Sequence, residues 1–313
     1  MRKLETLITA SRRATENQEF SSSAGISDEE FIQYFNDAQE EIQNLINLNF
    51  PKVFMKVADL QVPAQDGSTL SGIALPSDCY LGTRIDTILF SDTGRLQDAY
   101  RLKKGSTKEY LGGNASNPSY YFRASSDIFL QPYAQSGGVL YVAYQAALPK
   151  LDIIRGIVSS VTLGTNTITS LVLDPTQVFD FEAIQENRYV SVGDKDGNIK
   201  MTRIPVDAID SSTGVVTVDR SFTFEAGETI AAGDFIFCGK VATNFSQLPE
   251  TCERYLLEYC NARILMRDFS SDAQDISQVL LKIEAGIKSA FAETESDPDY
   301  VAVLDNQYLG WDV

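Results

Sequence analysis

Helical spacing marks both ends of the chain, and strand spacing fills most of what lies between. From Leu248 to Ala292 one face takes Cys252, Leu256, Tyr259, Arg263 and Met266. After a break at Arg267–Ser271, another takes Ile276, Val279, Leu280, Ile283, Ile287 and Phe291. Intervals of three and four predict two helices, each with an apolar stripe. Pro249 suits a first helical position, and Ser271 with Gln274 has the pattern of a capping box. A stronger helix start lies at Ser27, whose hydroxyl can cap the N–H of Glu30 while Ile26 and Phe31 form a staple. Asp28, Glu29 and Glu30 favour the positive end of the helix dipole. Its stripe (Phe31, Phe35, Ala38, Ile42, Leu45) runs to Asn49, and Pro51 ends it. This helix is the expected partner of the C-terminal pair. Residues 1–18 predict a shorter helix with Leu4, Leu7, Ile8 and Ser11 on one side. Its Arg2, Lys3, Arg12 and Arg13 read as a solvated face in preference to a patch for an acidic neighbouring subunit.

Residues 53–150 change period. Val53–Val57, Leu60–Val62, Ile73–Leu75, Arg84–Phe90, Tyr120–Phe122, Ile128–Leu130 and Gly138–Tyr144 predict a meander of strands punctuated by Gly, Pro, Asn and Asp. Residues 151–240 form a second β block with turns at 164–165, 194–198, 210–214 and 233–234, spaced as in a small barrel or sandwich. The block reads as an insert, since without it Leu140–Tyr144 would lead straight into the helix pair. The expected fold class is therefore α+β: a helical bundle from both chain ends, a β meander, and an inserted all-β domain. The expected divisions are 1–150 and 241–292 as one core, 151–240 as the insert, and 293–313 as a docking tail.

That tail has no Lys or Arg, yet it carries Tyr300, Val301, Val303, Leu304, Tyr308, Leu309 and the sole tryptophan, Trp311. A solvated acidic tail has no use for such side chains, so it either folds back on its own core or docks on a partner. The second candidate surface is the face of the 27–49 helix with Asp37, Glu40 and Glu41, where no basic residue balances the charge.

The chain has no histidine, which removes Ser-His-Asp and Cys-His catalysis and imidazole ligation of metals. Four scattered cysteines suggest neither a disulfide framework nor a zinc site; buried free thiols are expected. The net charge of −17 argues against coating DNA, though not against enclosing it in a channel whose wall repels phosphate. Asp194-x-Asp196-x-Asn198 begins like a calcium loop, but Ile199 and Pro205 stand where glycine and a bidentate acid are needed, so a hairpin turn is expected. No phosphate-cradling glycine motif occurs, and no carboxylate pair is singled out for hydrolysis. The Tyr120-Tyr121-Phe122 run is expected to split between core and surface. No catalytic residue, cofactor or metal is expected, and the chain is read as a non-enzyme. No apolar run approaches a membrane span, and the first residues lack the uninterrupted apolar centre of an export signal. Synthesis in the cytoplasm is the expectation.

Taken together, FIQYFNDAQEEIQNLI with Asn49-Phe50-Pro51, ALPSDCYLGTRIDTILF, YYFRASSDIFLQPYAQSGGVLYVAYQAALPKL and LPETCERYLLEYCNARILMRDF are similar to the head-to-tail adaptors of short-tailed bacteriophages, the tail tubular protein A and head-completion group. The resemblance covers 27–150 and 241–292; the block at 151–240 departs from it. It implies a structural virion protein at the head–tail junction, forming a ring, commonly of twelve copies, between the portal protein and the tail nozzle. Such a ring would extend the DNA channel, hold DNA without reading its sequence, and anchor tail components, with fibres on the insert. It also implies that Tyr300–Trp311 reaches onto the portal. The alternatives from another class are a carbohydrate- or receptor-binding module on the insert and, behind it, a tail-associated carboxylate hydrolase.

Overall fold

The computed structural model describes residues 3–15, 25–64, 72–82, 84–105, 117–125, 127–164, 167–174, 176–177, 180–219, 222, 229–268 and 276–295. The helices are α1 (Leu4–Ala14), α2 (Asp28–Asn49), α3 (Phe181–Asn187), α4 (Glu253–Asp268) and α5 (Ile276–Glu295). The first strands are β1 (Met55–Val62), β2 (Ile73–Ala74), β3 (Ile85–Ser91), β4 (Tyr100–Arg101), β5 (Lys103–Lys104), β6 (Tyr120–Ala124), β7 (Asp127–Gln131) and β8 (Gly138–Gln145). There follow β9 (Lys150–Leu151), β10 (Gly156–Leu163), β11 (Ile168–Leu173), β12 (Tyr189–Gly193), β13 (Ile199–Asp210), β14 (Val215–Val218), β15 (Phe235–Cys238) and β16 (Ala242–Thr243). The architecture is α+β with a closed all-β barrel in the second half. The chain divides into two compact units, Met1–Gln43 with Pro149–Gly286, and Asn44–Leu148 with Ile287–Val313.

In the first unit the barrel strands follow the order β10-β11-β14-β13-β12-β15 and close between β15 and β10. Closure leaves no unpaired edge. Alternating Val, Ile and Leu send Val158, Leu171, Leu173, Val190, Val192, Ile204, Val216 and Ile236 inward. β13 runs on through Pro205. Register shifts on both sides of it and a left-handed Arg203 (φ 58°) absorb the proline. One element is missing from the sequence reading. α3 starts at Asp180, whose Oδ1 accepts from the Ala183 N–H (3.1 Å), and it buries Ile184 against the barrel. Seven residues with a single core side chain are too few to show a period.

On the helical side of this unit α1 lies on α4 as well: Leu4, Leu7, Ile8 and Ser11 are all buried, and Ser11 Oγ donates to Asn261 Oδ1 (2.5 Å) beside Cys260. The small Ser11 lets the two helices approach. α4 is buried around more of its girth than one stripe, through Tyr255, Leu256, Tyr259, Cys260 and Ile264. Arg263 stays at the margin, donating to Tyr259 Oη (3.3 Å). Pro249 precedes a short 3-10 turn, Glu250–Cys252, that leads into α4. α5 buries Val279, Ile283 and Ile287. Its Gly286 leaves room for the Tyr255 ring: a Cβ there would stand 2.0 Å from Tyr255 Oη. The proposed cap at Ser271 lies outside the described residues.

The second unit is a sandwich of two four-stranded sheets, β1-β8-β3-β4 and β2-β7-β6-β5. Its strands do not pair as a meander. β8, the most continuously apolar strand, takes the inner position between β1 and β3, because such a strand gains most from neighbours on both sides. Val62, Ile88, Phe90, Leu140 and Val142 of one sheet meet Ile73, Ile128 and Leu130 of the other in one core. Phe50 and Phe291 pack in this unit with ring centroids 5.1 Å apart.

Candidate assembly surfaces

The amide residues of α2 have intrachain work. Asn36 Nδ2 donates to the Leu151 carbonyl (2.9 Å) and its Oδ1 accepts from the Leu151 N–H (2.8 Å). The side chain thus behaves as an extra strand residue beside β9. Gln39 Nε2 donates to the Pro149 carbonyl (2.8 Å), and Ser246 Oγ donates to Gln39 Oε1 (3.4 Å). β9 pairs in parallel with β16. The segments that enter and leave the barrel are therefore fastened side by side on one face of α2.

The same neck holds a buried guanidinium. The Arg155 side chain is 4% exposed and Asp152 is 6% exposed. Arg155 Nε and Nη2 donate to Asp152 Oδ1 (3.0 and 2.8 Å), and Nη1 donates to Asp180 Oδ2 (2.8 Å) and Glu29 Oε1 (2.5 Å). Asp152 Oδ2 also accepts from the Cys238 N–H (2.7 Å). One cation thus ties the first turn of α2, the entry to the barrel, the cap of α3 and strand β15. Burial works against its charge, but Glu29, Asp152 and Asp180 outweigh that and hold its pKa above the ordinary arginine value. Nothing in the spacing of Glu29, Asp152, Arg155 and Asp180 announces this cluster; only the neighbouring Asp152 and Arg155, three residues apart, hint at a pair.

Of the acidic face on α2, Glu40 is exposed, whereas Asp37 and Glu41 are half-buried. The latter two lie close to the Tyr259 hydroxyl, whose pKa burial raises against the lowering effect of the Arg263 guanidinium, with these two charges adding a smaller upward push. The face is divided between an outward carboxylate and two that look toward α4. Tyr300, Val301, Val303, Leu304, Tyr308, Leu309 and Trp311 lie outside the described residues. Of the basic N-terminal residues, Arg12 pairs with Asp28 and sits 5.0 Å over the Phe31 ring, while Arg13 is exposed.

In the sandwich unit, Asp78 of the Leu-Pro-Ser-Asp stretch receives Tyr144 Oη at 2.8 Å and Lys56 Nζ at 2.9 Å. Burial alone would raise its pKa, but these two donors bring it below the usual carboxylate value. The carboxylate therefore locks β1 to β8 at the strand entry. The Tyr120–Phe122 run splits as alternation requires: Tyr121 packs on the core, and Phe122 stacks on Phe129 (5.3 Å, 10°) on the other face. Among the described residues no group of three or more Cys, Asp or Glu is placed to hold a metal. The 194–198 segment is a turn, with Asp194 Oδ1 accepting from the N–H groups of Asp196 and Asn198 (2.9 Å each). No described helix is long and apolar enough to cross a membrane.

These features describe fastened joints and outward charged surfaces. A comparison with protein families finds that the model of the SU10 adaptor protein matches residues 2–165, just over half of the chain. No curated protein matches the chain.

Proposed function

Starting from the chain's membership of the SU10 adaptor family, a family of phage head–tail adaptors, we propose that it forms a ring between the portal protein and the tail nozzle. A structural adaptor of the phage virion is what the family establishes. The ring, its twelve copies, the extended DNA channel and the anchoring of tail components are our reading. In this reading Tyr300, Val301, Val303, Leu304, Tyr308, Leu309 and Trp311 supply the portal anchor. Glu40, with Asp37 and Glu41 behind it, faces a neighbouring subunit or the channel. The chain works without catalysis, cofactor or metal, and encloses DNA without reading its sequence.

One observation carries the reading. The family match spans α1, α2, the whole sandwich and the neck at Pro149–Asp152, and it ends one strand into the barrel. The match covers neither the rest of the barrel nor the C-terminal helices, and we propose that 151–240 is an insert on the adaptor core and the platform for tail fibres.

The test is assembly. Mixed with portal rings, the chain should co-sediment and add a ring of density under the portal by electron microscopy. Absence of both, with each component folded, would refute the ring. Substituting Tyr308 and Trp311 by alanine should abolish co-sedimentation and leave the unfolding transition in place. Retained co-sedimentation would remove the tail from the portal contact.

A further inference from the structure

The sandwich unit carries a cation cluster that stands out in a chain of net charge −17. Arg101 on β4, Lys103 and Lys104 on β5 and Arg123 on β6 are all exposed. β4 ends one sheet and β5 ends the other, with the buried Leu102 as the crossing point. In the parallel β5–β6 pair, Lys103 stands opposite Tyr120 and Lys104 opposite Tyr121. Arg123 and Arg101 both lie close enough to the Tyr121 hydroxyl to lower its pKa against the larger upward push of burial, to which Asp86 adds. On the other face of β6, Phe122 and Phe129 stack. Cations and aromatic rings are thus interleaved along one sheet margin. Arg101, Lys103 and Lys104 make no ion pair among the described residues.

The same compact unit takes in the end of α5 from Ile287, and Phe291 packs on Phe50 there. Beyond Glu295 lie residues 296–313, long enough to reach about 60 Å when extended. They hold Asp297, Asp299, Asp305 and Asp312, no Lys or Arg, and three aromatic residues, Tyr300, Tyr308 and Trp311. Charge and aromatic content both complement the cluster. A short tether also gives the segment a local concentration on the order of millimolar, ahead of any ligand free in solution.

We propose that in the chain free of partners, residues 296–313 dock on the cluster of their own sandwich unit. The aspartates pair with Arg101, Lys103, Lys104 and Arg123, and the aromatic side chains lie against Tyr120 and Phe122. The inference rests on the adaptor reading only for its consequence, that the tail must leave this seat to reach the portal. Free chain would then be held in a form that does not dock prematurely.

Trp311 is the only tryptophan, so its fluorescence reports the tail alone. In the full-length chain without portal, at low salt, Trp311 should be protected from acrylamide, with protection independent of protein concentration. Raising salt to about 1 M shortens the screening length to roughly 3 Å and should expose it. The double substitution Lys103→Glu with Lys104→Glu should lower the docked-to-free ratio about tenfold, from the loss of two exposed ion pairs and the repulsion of the new carboxylates. Asp297→Asn with Asp299→Asn, made in the tail itself, should lower the ratio in the same direction even if the lysine variant folds poorly. Full accessibility of Trp311 in the parent chain, or protection that both variants leave unchanged, overturns the proposal. Protection that grows with concentration assigns the seat to a second copy and overturns it equally. Failure to co-sediment with portal would refute the ring and leave the Trp311 result standing, so the two readings fail separately.

Discussion

Replacing Arg155 by methionine keeps the volume of the side chain at the neck and removes its charge. What remains is Asp152, 6% exposed, with the Cys238 N–H as its one described donor. Asp180 and Glu29 lose the same partner, but their side chains are 39% and 64% exposed and water can replace it. Their share is therefore within about 0–1 kcal/mol each. The cost is dominated by the stranded buried carboxylate, about 3–5 kcal/mol for a broken buried pair. A unit of this size loses about 2–4 °C of Tm per kcal/mol, so the variant should melt roughly 6–20 °C lower by circular dichroism. A pH series supplies a sharper signature. Burial holds the Asp152 pKa above its unfolded value of about 3.9 even with Arg155 beside it, and loss of the cation raises it further. The penalty then applies to the ionised form: it is absent below the unfolded pKa and grows as pH rises toward the folded one. The gap between Arg155→Met and the parent should narrow from pH 7 to about pH 4. Adding Asp152→Asn should recover part of the loss, giving a positive coupling in the double-mutant cycle. A variant within about 1 kcal/mol of the parent at pH 7, or a gap that widens on acidification, would refute a charge-centred neck.

Gly286→Ala should destabilise the α4–α5 contact by about 1–3 kcal/mol through overpacking against Tyr255, offset by up to about 1 kcal/mol of helix propensity. Tyr255→Phe in that background should recover part of it, and a Gly286→Ala chain more stable than the parent in denaturant would contradict the packing. The thiols of Cys79, Cys238 and Cys252 are pushed up by burial, and that of Cys260 to about 12. At pH 8 the folded chain should therefore resist a disulfide reagent, and all four cysteines should react in denaturant; fast reaction of any one while folded would count against it. Asp210 is lowered to about 2 by the hydroxyls of Ser212 and Thr213 and by the Ser212 N–H. A lowered carboxyl pKa gives stability that is complete above about pH 4 and lost as pH falls through 2. The stability difference between the parent and Asp210→Asn should fade across that window, and a difference independent of pH would place the turn's strength elsewhere.

The elements that announced themselves in the sequence share a physical reason. α1, α2 and α5 each bury one face, so core positions recur every three or four residues, and Ser27 caps α2 locally, with the Glu30 N–H donating to its Oγ (3.3 Å). The barrel strands alternate because closure gives every strand one inside and one outside. Pairing was less legible. That β1 joins β8, and that β5 joins β6 in parallel, depends on cross-chain packing that no local pattern encodes. α4 exceeds its expected stripe because a helix covered by α1 as well as by its other neighbours buries more than one narrow face. The candidate surfaces were legible only as charge. Glu40 and Asp37 look alike in sequence, yet one faces solvent and the other lies beside Tyr259.

The neck explains how a barrel can be carried within a helical unit. An insert is tolerated when its two ends lie together. Here Lys150 stands opposite Ala242 and Leu151 opposite Thr243 in a parallel pair, with Asn36 and Gln39 of α2 holding the entering segment. Parallel pairing also means that the exit segment runs in the same direction as the entry, so the barrel does not hang from an out-and-back hinge. Arg155 adds a second fastening through carboxylates from α2, the entry and α3. Two independent ties to one helix leave no single bond about which the barrel can swing. On the reading proposed above, with tail parts seated on the barrel, it would transmit their load to α2 as a rigid bracket. Loosening the neck should therefore weaken retention of tail components under force more than their binding at rest. Arg155→Met particles that lost tails no faster than the parent under shear, despite the lower melting temperature of the free chain, would show that the load travels by another route.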